Sequence, residues 1–153
     1  MPILKRINGL YFSIHTVFLA LVMIILTFWG VKNAYLYVLW AYALLGLGIK
    51  QLFSPHHRKG IRLYRKQQFE SAIAEFEKSR EYFSRHLIVD KLRCLTLLSL
   101  SKYTYREMAL VNIAFCKTQI GKGAEAIELY REILDEFPNN HLAQSSLRML
   151  ESL

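Results

Sequence analysis

Residues 10–30, LYFSIHTVFLALVMIILTFWG, run for 21 positions without a charged side chain. At ~1.5 Å per helical residue, such a run spans a hydrocarbon core of ~30 Å. A second uncharged run, AYLYVLWAYALLGLGI (34–49), follows at once and extends to Phe53 across a single charge, Lys50, whose long stem can snorkel outward. No polar face interrupts either run. Buried in a water-soluble fold, both helices would need covering on every side, and residues 54–153 are too few to do that. The expectation is a two-helix transmembrane hairpin over residues 1–53, with spans at about 10–30 and 34–53. A cleavable signal peptide is the rival reading of the first run. Its apolar stretch is too long for one, and Lys32-Asn33-Ala34 is a poor cleavage site.

The turn between the runs, Gly30 to Asn33, forces a tight antiparallel pair, and Trp29, Tyr35 and Tyr37 cluster where amphipathic rings favour headgroups. Lys5 and Arg6 precede the first span, and Lys50, Arg58 and Lys59 follow the second, whereas the turn holds only Lys32. By the positive-inside rule both termini are expected in the cytoplasm. The compact size and the absence of a targeting signal point to a bacterial inner membrane. His15 lies about a turn inside the first span, where an ionisable side chain is a functional suspect. Neither span offers it an acidic partner, so a neutral ring bonded to a neighbouring backbone group is expected.

Charge is distributed unevenly. Of 20 Lys and Arg, nine fall in residues 1–66, which contain no acid, and the remainder is close to neutral with 11 basic and 12 acidic residues. A nucleic-acid binder spreads its basic residues over the folded surface, so no nucleic-acid partner is expected. Lys50, Arg58, Lys59, Arg62 and Lys66 instead suit anionic lipid headgroups, at about 1 kcal/mol each near the surface. The plainer alternative is that they only set topology.

Residues 54–153 read as paired helices, near 56–67, 70–84, 88–101, 105–120, 124–136 and 140–152. Between Ile61 and Ile120 there is no Gly or Pro, so the breaks come from caps. Ser54-Pro55 supplies an N-cap and a first-turn proline, Thr104-x-x-Glu107 a capping box, and Asn139 or Asn140 opens a last helix. Two stretches match each other. Gly60-x-x-Leu63, Phe69, Ala72, Phe76 and Ser79 align with Ala114, Gly121, Ala126-Ile127, Tyr130, Ile133 and Pro138. In both, a small residue lies 12 before an Ala, and an aromatic follows that Ala by four.

This pattern resembles the tetratricopeptide repeat, a helix–turn–helix unit of ~34 residues that stacks into arrays. The units cover residues 54–86 and 105–138. Lys117, Gly123, Ile133 and Ser84 depart from the family pattern, and Ala72 and Ala126 lie 54 residues apart. The excess accommodates an extra helix, LIVDKLRCLTLLSLS (87–101), apolar on nearly every face and expected as the central buried helix. Residues 140–152 resemble the capping helix such arrays need. The fold class expected is all-α: a transmembrane hairpin followed by a short tetratricopeptide-like array. The resemblance implies a groove lined by the first helix of each unit, with Arg58, Ile61 and Arg65 from one and Asn112, Phe115 and Gln119 from the other. Paired Arg donors suit a carboxylate, and Phe115 offers apolar area. The family's carboxylate clamp, richer in Lys and Asn, is not reproduced, and Arg58 and Arg65 pairing with Glu70 or Glu75 is the simpler alternative.

Catalytic signatures are missing. There is no phosphate-cradling Gly loop, no His-Glu-x-x-His and no Gly-x-Ser-x-Gly. Gly121-Lys122-Gly123 reads as an interhelical turn. Adjacent His56 and His57 point ~100° apart on a helix and make a poor metal site, so a solvated basic flank is expected. Cys94 and Cys116 read as small core residues, and Glu125, Glu128, Glu132, Asp135 and Glu136 as a solvated face. No cofactor, metal or enzymatic activity is expected. A membrane enzyme using His15 or His56 is the weakest reading. The leading expectation is a membrane-anchored adaptor or scaffold that binds a protein or peptide on the cytoplasmic side and assists assembly of a membrane complex. The alternative is an accessory subunit of a transporter or envelope-assembly machine, held mainly through its hairpin.

Overall fold

The computed structural model describes residues 8–152, except for the side chain of Lys50. Lys5 and Arg6, which carry part of the orientation argument, lie outside the described residues, as does the headgroup contact expected of Lys50. Among the described residues every regular element is a helix: α1 (Gly9–Phe28), α2 (Ala34–Phe53), α3 (Pro55–Arg65), α4 (Phe69–Arg85), α5 (Leu87–Lys91), α6 (Arg93–Thr96), α7 (Tyr105–Gln119), α8 (Gly123–Glu136) and α9 (His141–Glu151).

Helices α1 and α2 are long and apolar enough to cross a membrane, with mean hydropathy 2.2 and 1.5. Their large side chains, Phe18, Ile24 and Leu44 among them, point outward. The serine and threonine hydroxyls of α1 are satisfied within the helix: Ser13, Thr16 and Thr27 donate to the carbonyls of Gly9, Phe12 and Met23. That is the arrangement a segment without water requires. The two helices pack on each other through a short turn in which Gly30 and Asn33 take φ +75° and +58°. Only residues that tolerate left-handed backbone fit there.

A single residue, Ser54, separates α2 from α3, and Pro55 opens α3 without wasting an amide donor. α3 lies close against α4 at Gly60, where an added Cβ would stand 2.7 Å from Phe76 Cε1. α4 then packs directly on α7, α7 on α8, and α8 on α9. Ala72, Phe76, Ala109, Ile113 and Cys116 form the core between α3, α4 and α7. Ala114, Ala126, Tyr130, Ile133 and Ala143 belong to the core between α7, α8 and α9. The α7 capping box forms as expected: Thr104 Oγ1 accepts from Glu107 N–H at 3.1 Å, and Thr104 N–H donates to Glu107 Oε2 at 3.3 Å. Gly121, at φ +79°, ends α7, so Gly121-Lys122-Gly123 is an interhelical turn. Asn140 caps α9 through its side chain.

The segment 87–101 departs from expectation. It is not one central buried helix but two short ones, α5 and α6, followed by irregular chain with Leu98 at φ +45°. Two causes are visible. Direct packing of α4 on α7 leaves no central slot. The polar residues inside the segment also turn it outward: Arg93 donates to the carbonyls of Asp90, Ser101 and Lys102, and Thr96 Oγ1 to that of Val89. These bonds hold carbonyls in a compact bend rather than a continuous helix.

Candidate functional site

The six residues expected to line a groove are not equally available. Arg58, Arg65 and Gln119 are exposed, and Ile61 and Phe115 are half-buried. Asn112 is buried and contributes nothing to an outer face, because α7 is enclosed by α4 and α8 along that side. Ile61 packs into the α3–α4–α7 core, and Phe115 meets Tyr64 edge-on at 5.7 Å between ring centroids. Arg58 turns back to α2 and donates to Gln51 Oε1 at 2.7 Å. Arg65 sits two turns, roughly 10 Å, further along α3, so with Arg58 bonded to Gln51 the two are not found paired on one carboxylate. What the fold brings together is Phe115 with Tyr64 of α3.

The basic flank is partly spent on an internal carboxylate. Glu75 of α4 is buried and accepts from His56 Nδ1 at 2.8 Å, Lys59 Nζ at 2.9 Å and Lys78 Nζ at 3.4 Å. The His56 bond, then that of Lys59, holds its pKa down to about 2. Arg62 and Lys66 remain exposed. The expected solvated flank holds for His56, which stays exposed, and is corrected for His57. His56 is the ion-pair partner just described, and His57 is buried edge-on to Phe76 and Tyr105. Burial lowers the His57 pKa to about 4, so its ring is neutral. Adjacent helical positions face different ways, and here one faces the core.

The densest polar cluster lies where the hairpin meets the array. His15 is buried, although it sits on an apolar helix. Its Nε2 donates to the Cys94 carbonyl at 2.8 Å, and its Nδ1 is engaged by the Tyr42 hydroxyl of α2 at 2.5 Å. A carbonyl only accepts, so Nε2 carries the hydrogen, and in the neutral ring Nδ1 accepts from Tyr42. Cys94 Sγ is 3.3 Å from Nε2, but that nitrogen has no lone pair to offer, so the pair is not a nucleophile with its base. The partner is a backbone group, as expected for His15, but it comes from 79 residues away in sequence. Asn8 N–H donates to the Leu100 carbonyl at 2.8 Å, and the Arg93 guanidinium lies over the Tyr11 ring at 5.5 Å.

The same segment is tied to the array. The buried Asp90 carboxylate accepts from the first two amides of α7, Tyr105 N–H at 2.7 Å and Arg106 N–H at 2.9 Å, where orphan donors and the helix dipole favour a negative charge. Burial pushes the Asp90 pKa up against those bonds. Burial likewise raises Glu107, which accepts from Asn140 Nδ2 at 2.9 Å and so ties the start of α7 to the cap of α9. The Tyr105 hydroxyl hydrogen-bonds Ser54 at the α2–α3 junction and Ser99 of the segment. Phe83, Leu97 and Tyr105, packed by Ile49 and Phe53 of α2, fill the space beneath. Residues 86–104 thus latch hairpin to array. Sequence reading missed this; the available signal was Asp90 and Arg93 inside an otherwise apolar stretch.

A cleft of about 710 Å³ opens on the other side of the array, between α4, α7 and α8, lined by Glu77, Lys78, Arg80, Glu81, Arg106 and Glu132 among others. Arg106 donates to Ser84 Oγ at 2.9 Å and pairs with Glu136. The cleft is amphoteric rather than of one sign. Its sequence signal was the stripe Ala74, Glu77 or Lys78, Glu81 and Ser84 on the outward face of α4. Among the described residues no three His, Cys, Asp or Glu side chains are grouped to hold a metal ion. Comparison with protein-family models, with curated proteins and with solved structures finds no match.

Proposed function

We propose that this chain is a membrane-anchored adaptor: the hairpin spans the bilayer, and the helical array binds a protein or peptide at the cytoplasmic surface as part of a membrane complex. The observation that carries this reading is the joint. α2 passes into α3 across one residue, and residues 86–104 bind both halves, so the array is held against the base of the hairpin. The tetratricopeptide resemblance supports a protein or peptide partner, and the membrane proposed is a bacterial inner membrane. The surface for that partner is Arg65, Phe115 and Gln119 with Tyr64, the cationic, aromatic and amide side chains the α3–α7 edge leaves at least partly accessible. Arg62 and Lys66 meet anionic headgroups.

The test changes Arg65 and Phe115 to Ala in the full chain and compares capture of its cellular partner with helicity. A folded double variant that captures the partner as well as the parent removes this edge from consideration. The accessory-subunit reading is favoured by one observation, the exposed apolar surface of both α1 and α2, which other spans can cover as well as lipid. In detergent-purified complexes an adaptor loses its partner when residues 54–153 are deleted. A subunit held by its spans loses it when the hairpin is replaced by an unrelated one.

A further inference from the structure

Three apolar residues of the latch lie on the side away from the core, while Leu97 packs into it. Ile88, Leu92 and Leu95 stand at i, i+4 and i+7, which is one face of a helical path, and are 74%, 51% and 66% exposed. On the opposite side Asp90, Arg93 and Leu97 are buried. The segment is amphipathic with its polar side pinned inward, and in water the other side is unfavourable by its uncovered apolar area.

Its position says what covers it. The Cys94 carbonyl accepts from His15, and the Leu100 carbonyl from the amide of Asn8, so the segment lies along the first turns of α1. His15 is six residues beyond Gly9, the first residue of α1, so it stands ~9 Å along the helix axis. An in-plane amphipathic helix buries its apolar face to ~5–10 Å into the headgroup and acyl boundary. The two depths coincide. Lys91, exposed at the edge of the same face, has a stem long enough to keep its charge in the headgroups.

We propose that residues 87–95 form a third membrane-inserted element, a short interfacial anchor whose Ile88, Leu92 and Leu95 enter the acyl boundary of the cytoplasmic leaflet beside α1. The inference rests on the reading of the hairpin as a membrane anchor. The occupant is lipid rather than protein, because the face is continuous with the apolar surface of α1 at the level of His15.

The test uses the full chain in phosphatidylcholine vesicles with and without acyl-brominated lipid. With Trp29→Phe and Trp40→Phe as background, Ile88→Trp, Leu95→Trp and Met149→Trp are made singly, and Trp29→Phe alone leaves Trp40 as the hairpin reporter. Positions 88, 95 and 149 are exposed, so the packing is untouched. The Ile88→Trp and Leu95→Trp proteins are expected to emit blue-shifted fluorescence and lose it to brominated lipid as Trp40 does, while Met149→Trp, out on α9, keeps its intensity. Unquenched emission from both 88 and 95 beside a quenched Trp40 overturns the inserted element and leaves the hairpin standing. An unquenched Trp40 overturns the anchor itself, and this inference with it. Equal quenching at Met149→Trp also overturns the proposal, because contact would then not be local.

Discussion

At the scale of single residues, two histidines carry opposite tasks. His57 is neutral in the fold because burial lowers its pKa from 6.5 to about 4. Below about pH 6.5 the unfolded chain takes up a proton that the fold refuses, so stability falls as pH drops to about 4 and is level beneath that. The loss is about 3 kcal/mol over that window. Glu75 adds a second phase of the same sign. Its folded pKa of about 2 lies below the ordinary 4.5, so its contribution is full above that value and disappears as pH falls through about 2. Urea unfolding of the full chain in micelles, followed across pH, is expected to show the first phase in the parent and not in His57→Leu. An unchanged slope in that variant would sink the assignment. His15 acts by geometry instead. His15→Ala removes the bonds to Cys94 and Tyr42 and leaves the buried Cys94 carbonyl unpaired, at ~1–3 kcal/mol, while the half-buried Tyr42 hydroxyl adds less. Hydrogen exchange is expected to quicken at the amides of residues 93–97 while α8 stays protected. Equal protection there would show that the latch does not depend on this ring.

At the scale of elements, α3 and α4 approach closely at Gly60, and the cause is one missing methyl group. Gly60→Ala places a Cβ against Phe76, a fully buried ring with nowhere to move, and is expected to cost ~1–3 kcal/mol. A thermal melt of that variant checks it; an unchanged midpoint would mean the helices separate freely. Gly60, Ala72, Phe76, Ala126 and Tyr130 were legible in the sequence because helical spacing puts each on the buried side of its own helix. The helix starts at Pro55, Thr104 and Asn140 were also legible, because a start signal is local, although Ser54 makes no side-chain cap bond to α3. The segment 87–101 was not. Apolar residues on nearly every face fit a buried core helix as well as one facing lipid, and periodicity does not separate those. Its bend is set by Asp90 reaching α7 and Arg93 reaching residues 101 and 102, contacts that spacing does not encode. Asn112 failed similarly. A helix face assigned from one unit alone ignores the α4 packed against it.

At the scale of the whole molecule, the basic residues flanking the two apolar helices predict one orientation, with both ends of the chain on the cytoplasmic side. A reporter active only outside the cytoplasm, fused after Leu153, is expected to be silent in a bacterial host. Strong activity would reverse the topology and move the partner to the other face. The single-residue junction at Ser54 also has a kinetic meaning. A module on a flexible tether sweeps a hemisphere, and its capture rate reflects the effective concentration its leash allows. Here α3 continues from α2 and residues 86–104 brace the corner, so the array sweeps almost nothing. On the adaptor reading proposed above it would work as a ruler: a partner would be met only at one height above the bilayer, and lengthening that junction with a flexible insert would trade selectivity for reach.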